Sequence, residues 1–227
     1  MHYPFTVLDG GLSTFRNAPH GSPYGARSRD RLVAYVQSHD QIGNRAQGDR
    51  LHQLAGIDKA KIAAALLFTS PFVPMLFQGE EWAASTPFVY FADFESTELR
   101  DAVRAGRRRE FAGWTAEPPD PIDPQTRLGC VLAWDEVATG EHADMLAWYR
   151  TLIALRKAHP ALRDPRPDTT VVTQTRSELR IDRGPFTLHV NLSPEPRPCC
   201  AGEVLAASRP LDEHGHLVAL SCALVRR

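Results

Sequence analysis

The run LVAYVQSHDQIGNR, Leu32 to Arg45, carries the residues best suited to chemistry. An apolar, β-branched stretch ends abruptly in His39-Asp40, and Gln41, Asn44 and Arg45 follow. A second apolar run, SPFVPMLFQGEEW, ends in Glu80 and Glu81. A carboxylate beside an imidazole in a cleft binds hydroxyls and stabilises developing positive charge. Both are needed to cleave a glycosidic bond, whose transition state resembles an oxocarbenium ion. The same residues also read more plainly. Asp40 would then be a helix or turn cap and His39 a surface histidine. Glu80 and Glu81 alone read as solvated acids after a strand. The pattern by itself leaves both readings open.

These residues need elements to position them. LVAYVQ, Leu32 to Gln37, has the length and apolar continuity of a strand buried on both faces, as in a parallel sheet. Asp58 to Phe68 keeps helical spacing through Ile62, Ala65 and Leu66, with Asp58 as N-cap. PMLF is a second strand. Strand, helix, strand is the βαβ pattern, and the fold class is α/β. In such folds functional groups gather at the C-terminal ends of the strands. His39-Asp40 and Glu80-Glu81 would then share one rim.

Further along, Ser96 to Phe111 reads as an exposed helix, with Arg107 to Arg109 on its solvated face. Trp114 to Thr126 reads as a Pro/Asp-rich loop. Glu141 to Ala158 is amphipathic, with Met145, Leu146, Tyr149, Leu152, Ile153 and Leu155 as its apolar stripe. His159-Pro160 ends it. Pro165 and Pro167 mark a boundary. Beyond it, short alternating runs such as ELRID, FTLHVNLS and HLVALSCALV predict an antiparallel β module of roughly sixty residues. Met1 to Asp30 reads as irregular chain.

The formal net charge of -1 gives no electrostatic case for nucleic acid or an anionic membrane. No apolar run approaches the ~20 residues of a membrane span, and MHYPFTVLDGG has no signal-peptide pattern. Cys130, Cys199, Cys200 and Cys222 lack CxxC spacing, so reduced thiols in a cytoplasmic protein are expected. EHGH, Glu213 to His216, reads as an exposed turn rather than a metal site. His52, His142 and His159 read as structural or surface residues. No metal and no cofactor are expected.

Together these stretches resemble a known family. AYVQSHDQIGNRAQGDRL resembles the fourth conserved region of the α-amylase family, where a strand ends in His-Asp. The Gln-Ile-Gly-Asn-Arg that follows is similar to malto-oligosyltrehalose trehalohydrolases; branching enzymes usually show His-Asp-Glu there. SPFVPMLFQGEEW resembles the family's eighth barrel strand and its Gly-x-Glu turn. FADFESTELRDAVRAGRRREFAGW, LAWYRTLIALRKAHPAL and the HVNLS strand resemble the same enzymes. The likeness covers nearly the whole chain and is weakest before Arg27.

The resemblance implies the C-terminal portion of a (β/α)8 TIM barrel in residues 1–165. A small antiparallel β-sandwich would follow in residues 166–227. It implies a retaining glycosidase that frees trehalose from malto-oligosyltrehalose by cutting the α-1,4 bond beside the trehalose end. Asp40 matches the aspartate that stabilises the transition state, and His39 the histidine that binds the same sugar. Gln41, Asn44 and Arg45 would shape the rim, while Glu80 and Glu81 line neighbouring subsites. Calcium is frequent in α-amylases, but no motif here supports it. The partners implied are the sugar substrate, malto-oligosyltrehalose or α-glucan, and the missing N-terminal part of the enzyme.

A complete barrel takes about 250 residues. The family's nucleophile and acid/base lie on earlier strands, and no segment within Met1 to Asp30 matches them. The chain is therefore expected to be truncated and inactive alone. The alternatives are a glycogen branching or debranching fragment, a non-catalytic α-glucan-binding module, and a fragment that folds poorly.

Overall fold

The structure is a computed structural model that describes residues 9–13, 17–21, 28–113 and 116–227. It opens with an antiparallel hairpin, β1 (Asp9–Ser13) on β2 (Ala18–Gly21). Irregular chain was expected there. DGGLS and APHG carry little of the β-branched alternation that marks strands in a sequence.

The βαβ unit is present. It comprises β3 (Val33–Tyr35), short helices α1 (His39–Gly43) and α2 (Leu51–Ala55), α3 (Ile57–Thr69) and β4 (Val73–Met75). β3 and β4 pair in parallel, with Val33 opposite Val73 and Tyr35 opposite Met75. The expectation of burial on both faces is corrected. Val33 is 57% exposed and Val73 43%, because no neighbouring strand or layer among the described residues covers that face. Gly56, not Asp58, is the N-cap of α3. Asp58 sits in the first turn, where its charge complements the helix N-terminus.

Helix α4 (Thr97–Glu110) starts at Ser96, whose Oγ accepts from the Leu99 N–H. The reading of a loop from Trp114 starts outside the described residues. Its end is corrected by α5 (Pro124–Leu128), capped by Asp123 with Pro124 in the first turn. Helix α6 (Gly140–Ala158) buries Met145, Tyr149 and Leu152, as the stripe predicted. It also buries Trp148, whose indole N–H donates to the Lys61 carbonyl at 2.9 Å and joins α6 to α3.

The remaining strands are β5 (Thr170–Gln174), β6 (Glu178–Arg183), β7 (Phe186–Asn191), β8 (Arg197–Pro198), β9 (Glu203–Ala207), β10 (His216–Leu217) and β11 (Ser221–Arg226). Five of them form an antiparallel sheet in the order β5-β6-β7-β11-β9, and β8 pairs with β10. Alternation decides the two faces. Leu179, Ile181, Phe186, Leu188, Val190 and Leu224 face α3 and α6 and join one buried cluster with Ala64, Phe68 and Leu152. Ala223 and Val225 face the other way and pack with Leu217, Cys199 and Cys200. No helix among the described residues is long and apolar enough to cross a membrane.

Candidate functional site

Parallel pairing sets the C-terminal ends of β3 and β4 side by side. Just past β3, Ser38 caps α1; its Oγ accepts from the Asp40 N–H at 3.2 Å. The cap is therefore Ser38, and Asp40 is left with its carboxylate pointing outward. His39 and Asp40 occupy the first turn with side chains 70% and 69% exposed. The imidazole Nε2 lies 3.3 Å from Asp40 Oδ1. This pair presents an acceptor and a ring N–H to solvent at a strand end, which is the chemistry of sugar-hydroxyl recognition.

The residues after it are held from below. The Ser38 hydroxyl donates to Gln41 Oε1. Arg45 Nε donates to Asp49 at 3.1 Å. Arg107 reaches in from α4 and donates to the Gly43 carbonyl at 2.8 Å and to Asn44 Oδ1 at 3.3 Å. Its guanidinium lies 4.7 Å from the Phe111 ring centre and 5.1 Å from that of Tyr90. Arg107 therefore departs from the expected solvated face, while Arg108 and Arg109 remain exposed. One residue of the run points inward because α4 lays a single stripe against the α1 loop.

The second strand end differs from expectation. Gly79 turns the chain with φ 80°, and a Cβ there would meet Ala84 Cβ at 2.7 Å. The 3-10 turn Glu80–Trp82 that follows buries Glu80, which is only 4% exposed. The reading of Glu80 as a solvated acid is corrected. Its Oε1 accepts from the Tyr149 hydroxyl at 3.0 Å and its Oε2 from the Phe77 N–H at 3.4 Å. Burial pushes the carboxyl up to about 7, outweighing the hydrogen bonds from Tyr149, Phe77 and Gln37. Gln37 in turn accepts from the Leu51 N–H at 3.1 Å, so Glu80 ties the ends of both strands to α6. Glu81 is half-buried, and its Oε2 has no hydrogen-bond partner.

Sequence reasoning missed Arg50. It is fully buried, with Nε donating to the Thr86 carbonyl at 2.6 Å and Nη1 to the Gln78 carbonyl at 2.8 Å. Burial lowers its pKa, and Glu81 and then Glu80 oppose that. No periodicity marks such a residue. Tyr149 lies on the apolar stripe of α6, and that spacing gives no sign of the partner its hydroxyl finds. His52 is pushed down to about 4 by burial and by Arg50, which keeps it a neutral structural group.

No family model matches the chain. A crystal structure from Salmonella typhimurium, assigned to the α-amylases, superposes with a TM-score of 0.83 at 35% identity. The match covers 96% of this chain and 39% of that one. An α-amylase from H. orenii shares the fold at a TM-score of 0.51 and 15% identity, over 86% of this chain and 39% of that one. The helices and the antiparallel sheet are thus part of an α-amylase-family enzyme fold, whose solved members are TIM-barrel enzymes.

Sequence relatives narrow the class. The malto-oligosyltrehalose trehalohydrolase of Mycobacterium tuberculosis (strain CDC 1551 / Oshkosh) is 42% identical over 96% of this chain and 39% of its own length. That of Brevibacterium helvolum is 47% identical over 69% of this chain and 27% of its own. What the chain matches is the C-terminal part of the malto-oligosyltrehalose trehalohydrolases, and the match spans 39% of the first relative's length and 27% of the second's.

Proposed function

We propose that this chain supplies the C-terminal part of a retaining glycosidase that releases trehalose from malto-oligosyltrehalose. The bond cut is the α-1,4 bond next to the trehalose end. Residues 1–165 belong to the barrel in this reading. Residues 166–227 form the β domain, a sandwich whose smaller layer is the β8-β10 ribbon.

Asp40 is the transition-state stabiliser. Its carboxylate accepts from hydroxyls of the sugar whose ring takes up positive charge, and such bonds strengthen as that charge grows. His39 donates a ring N–H to the same sugar. Gln41, Asn44 and Arg45 shape the rim, with Asn44 held by Arg107. Glu80 contributes from inside by fixing the two strand ends, and the half-buried Glu81 beside it lines a neighbouring subsite. The observation that carries the reading is the outward-facing His39-Asp40 pair at the C-terminal end of a parallel strand.

The test joins this chain to the N-terminal part of the Mycobacterium tuberculosis relative, in place of that protein's matching stretch. The hybrid should release trehalose. Asp40→Asn should lower kcat by about 100-fold or more with little change in KM, since it removes an interaction strongest in the transition state. A folded hybrid that branches or debranches glucan instead, or that ignores Asp40→Asn, overturns the proposal.

A further inference from the structure

On the sheet face turned away from the helices, His189 of β7 stands beside the Cys199-Cys200 pair that follows β8. One ligand atom from each of the three residues lies within 4.8 Å of the other two. All three are half-buried. The two cysteines pack against Leu217, Ala223 and Val225, which form an apolar floor. His189 Nδ1 is buried and has no hydrogen-bond partner. A buried, unpaired ring nitrogen is costly unless something binds it. The cluster shares no residue with the His39-Asp40 rim.

We propose that His189, Cys199 and Cys200 form a binding site for a thiophilic d10 cation, Zn²⁺ or Cu⁺. Two thiolates and an imidazole are the donor set such ions select, whereas Ca²⁺ and Mg²⁺ take oxygen ligands. Geometry is close to what is required. With Zn–S near 2.3 Å and Zn–N near 2.0 Å, two sulfurs and a nitrogen on a tetrahedral ion sit about 3.5–3.8 Å apart. The donors, within 4.8 Å of one another, need to close by at most about 1 Å, a shift within reach of cysteine side-chain rotation. For Zn²⁺, solvent water completes four-coordination. The thiol protons are released to solvent as the ion binds.

The charges around the cluster are compatible. Arg180 lies opposite His189 in the register. Its Nε already donates to Asp182 at 3.1 Å, so its charge is partly neutralised. A bound ion would pin the segment after β8 onto the sheet, independently of any glycosidase activity.

The experiment titrates the reduced, full-length chain with Zn²⁺ against a chromophoric chelator, and with Cu⁺ against bicinchoninate. One equivalent should bind, and the tighter arm identifies the cation. Co²⁺ should give a thiolate charge-transfer band. Cys199→Ser and Cys200→Ser should each weaken binding by more than about tenfold, while Cys130→Ser leaves it unchanged. A second readout needs no variant: bound metal should protect Cys199 and Cys200, mapped by mass spectrometry, from a thiol reagent. Absence of a bound equivalent, binding that survives loss of both cysteines, or labelling that metal does not slow overturns the site.

Discussion

The Tyr149 hydroxyl donates to Glu80 Oε1 across 3.0 Å, and both side chains are buried. The pair links the turn after β4 to α6, and through Gln37 to the end of β3. Glu80 ionises near 4.5 in an unfolded chain and near 7 here. A raised folded value means that the stabilisation is complete below about 4.5 and is lost as pH rises through 7. The gap corresponds to at most about 3 kcal/mol. Glu80→Gln keeps an acceptor for Tyr149 and never ionises. Urea unfolding should find it no more stable than the parent at pH 4 and more stable at pH 8. Identical pH profiles would show that Glu80 stays ionised in the fold.

Arg50 holds the loop between β4 and α4 from the start of α2. Its guanidinium spans the Gln78 and Thr86 carbonyls, a fork that a lysine cannot reproduce. Arg50→Lys should cost about 2–4 kcal/mol, because buried acceptors lose their donors. The loss should show as a lower denaturant midpoint at unchanged slope. Added salt should change it little, since buried charges are poorly screened. A cost below 0.5 kcal/mol, roughly that of a surface change, would mean that water replaces the fork.

Much of the architecture was legible because it is written in apolar periodicity. The helices at α3, α4 and α6 and the sheet strands β6, β7 and β11 follow patterns that the sequence carries openly. Asp40 and His39 were legible for another reason: a strand that ends in charged residues delivers them to a rim. Glu80, Arg50 and the Tyr149 hydroxyl were not legible. Their burial is set by partners 28 to 69 residues away, and no local pattern encodes those. The two-faced burial expected for β3 failed because periodicity reports a strand's apolar content, not whether a neighbour covers it.

Arg107 separates from Arg108 and Arg109 in the same way. Arg107→Ala removes two ring contacts and the hydrogen bond to the Gly43 carbonyl. It should lower stability by about 1–2 kcal/mol, whereas Arg108→Ala should stay within about 0.5 kcal/mol. Thermal melts of the two variants decide this. Equal melting temperatures would place all three arginines on the solvated face.

Val33 and Val73 face each other in register on an uncovered surface, with Tyr35 and Met75 beside them. An open parallel pair with an apolar face invites association. The isolated chain should bind a hydrophobic dye and should self-associate as concentration rises. Val33→Thr with Val73→Thr keeps the β-branched shape and should reduce both signals. Dye binding that the double variant does not change would place the apolar surface elsewhere.

The isolated chain should not release trehalose. Retaining cleavage needs two carboxyl groups about 5–5.5 Å apart, one as nucleophile and one as acid/base. Among the described residues, the rim offers Asp40 to solvent, while Glu80 is turned inward to Tyr149. Asp40 occupies one position and cannot serve on both sides of the scissile bond. The same exposure makes Asp40 dispensable for folding: Asp40→Asn should shift stability by less than about 0.5 kcal/mol. Incubating the purified chain with malto-oligosyltrehalose and measuring free trehalose tests the first statement, and a denaturant curve tests the second. Turnover abolished by Asp40→Asn would mean that a second carboxylate reaches the rim. A large loss of stability would give Asp40 a structural role that its exposure contradicts.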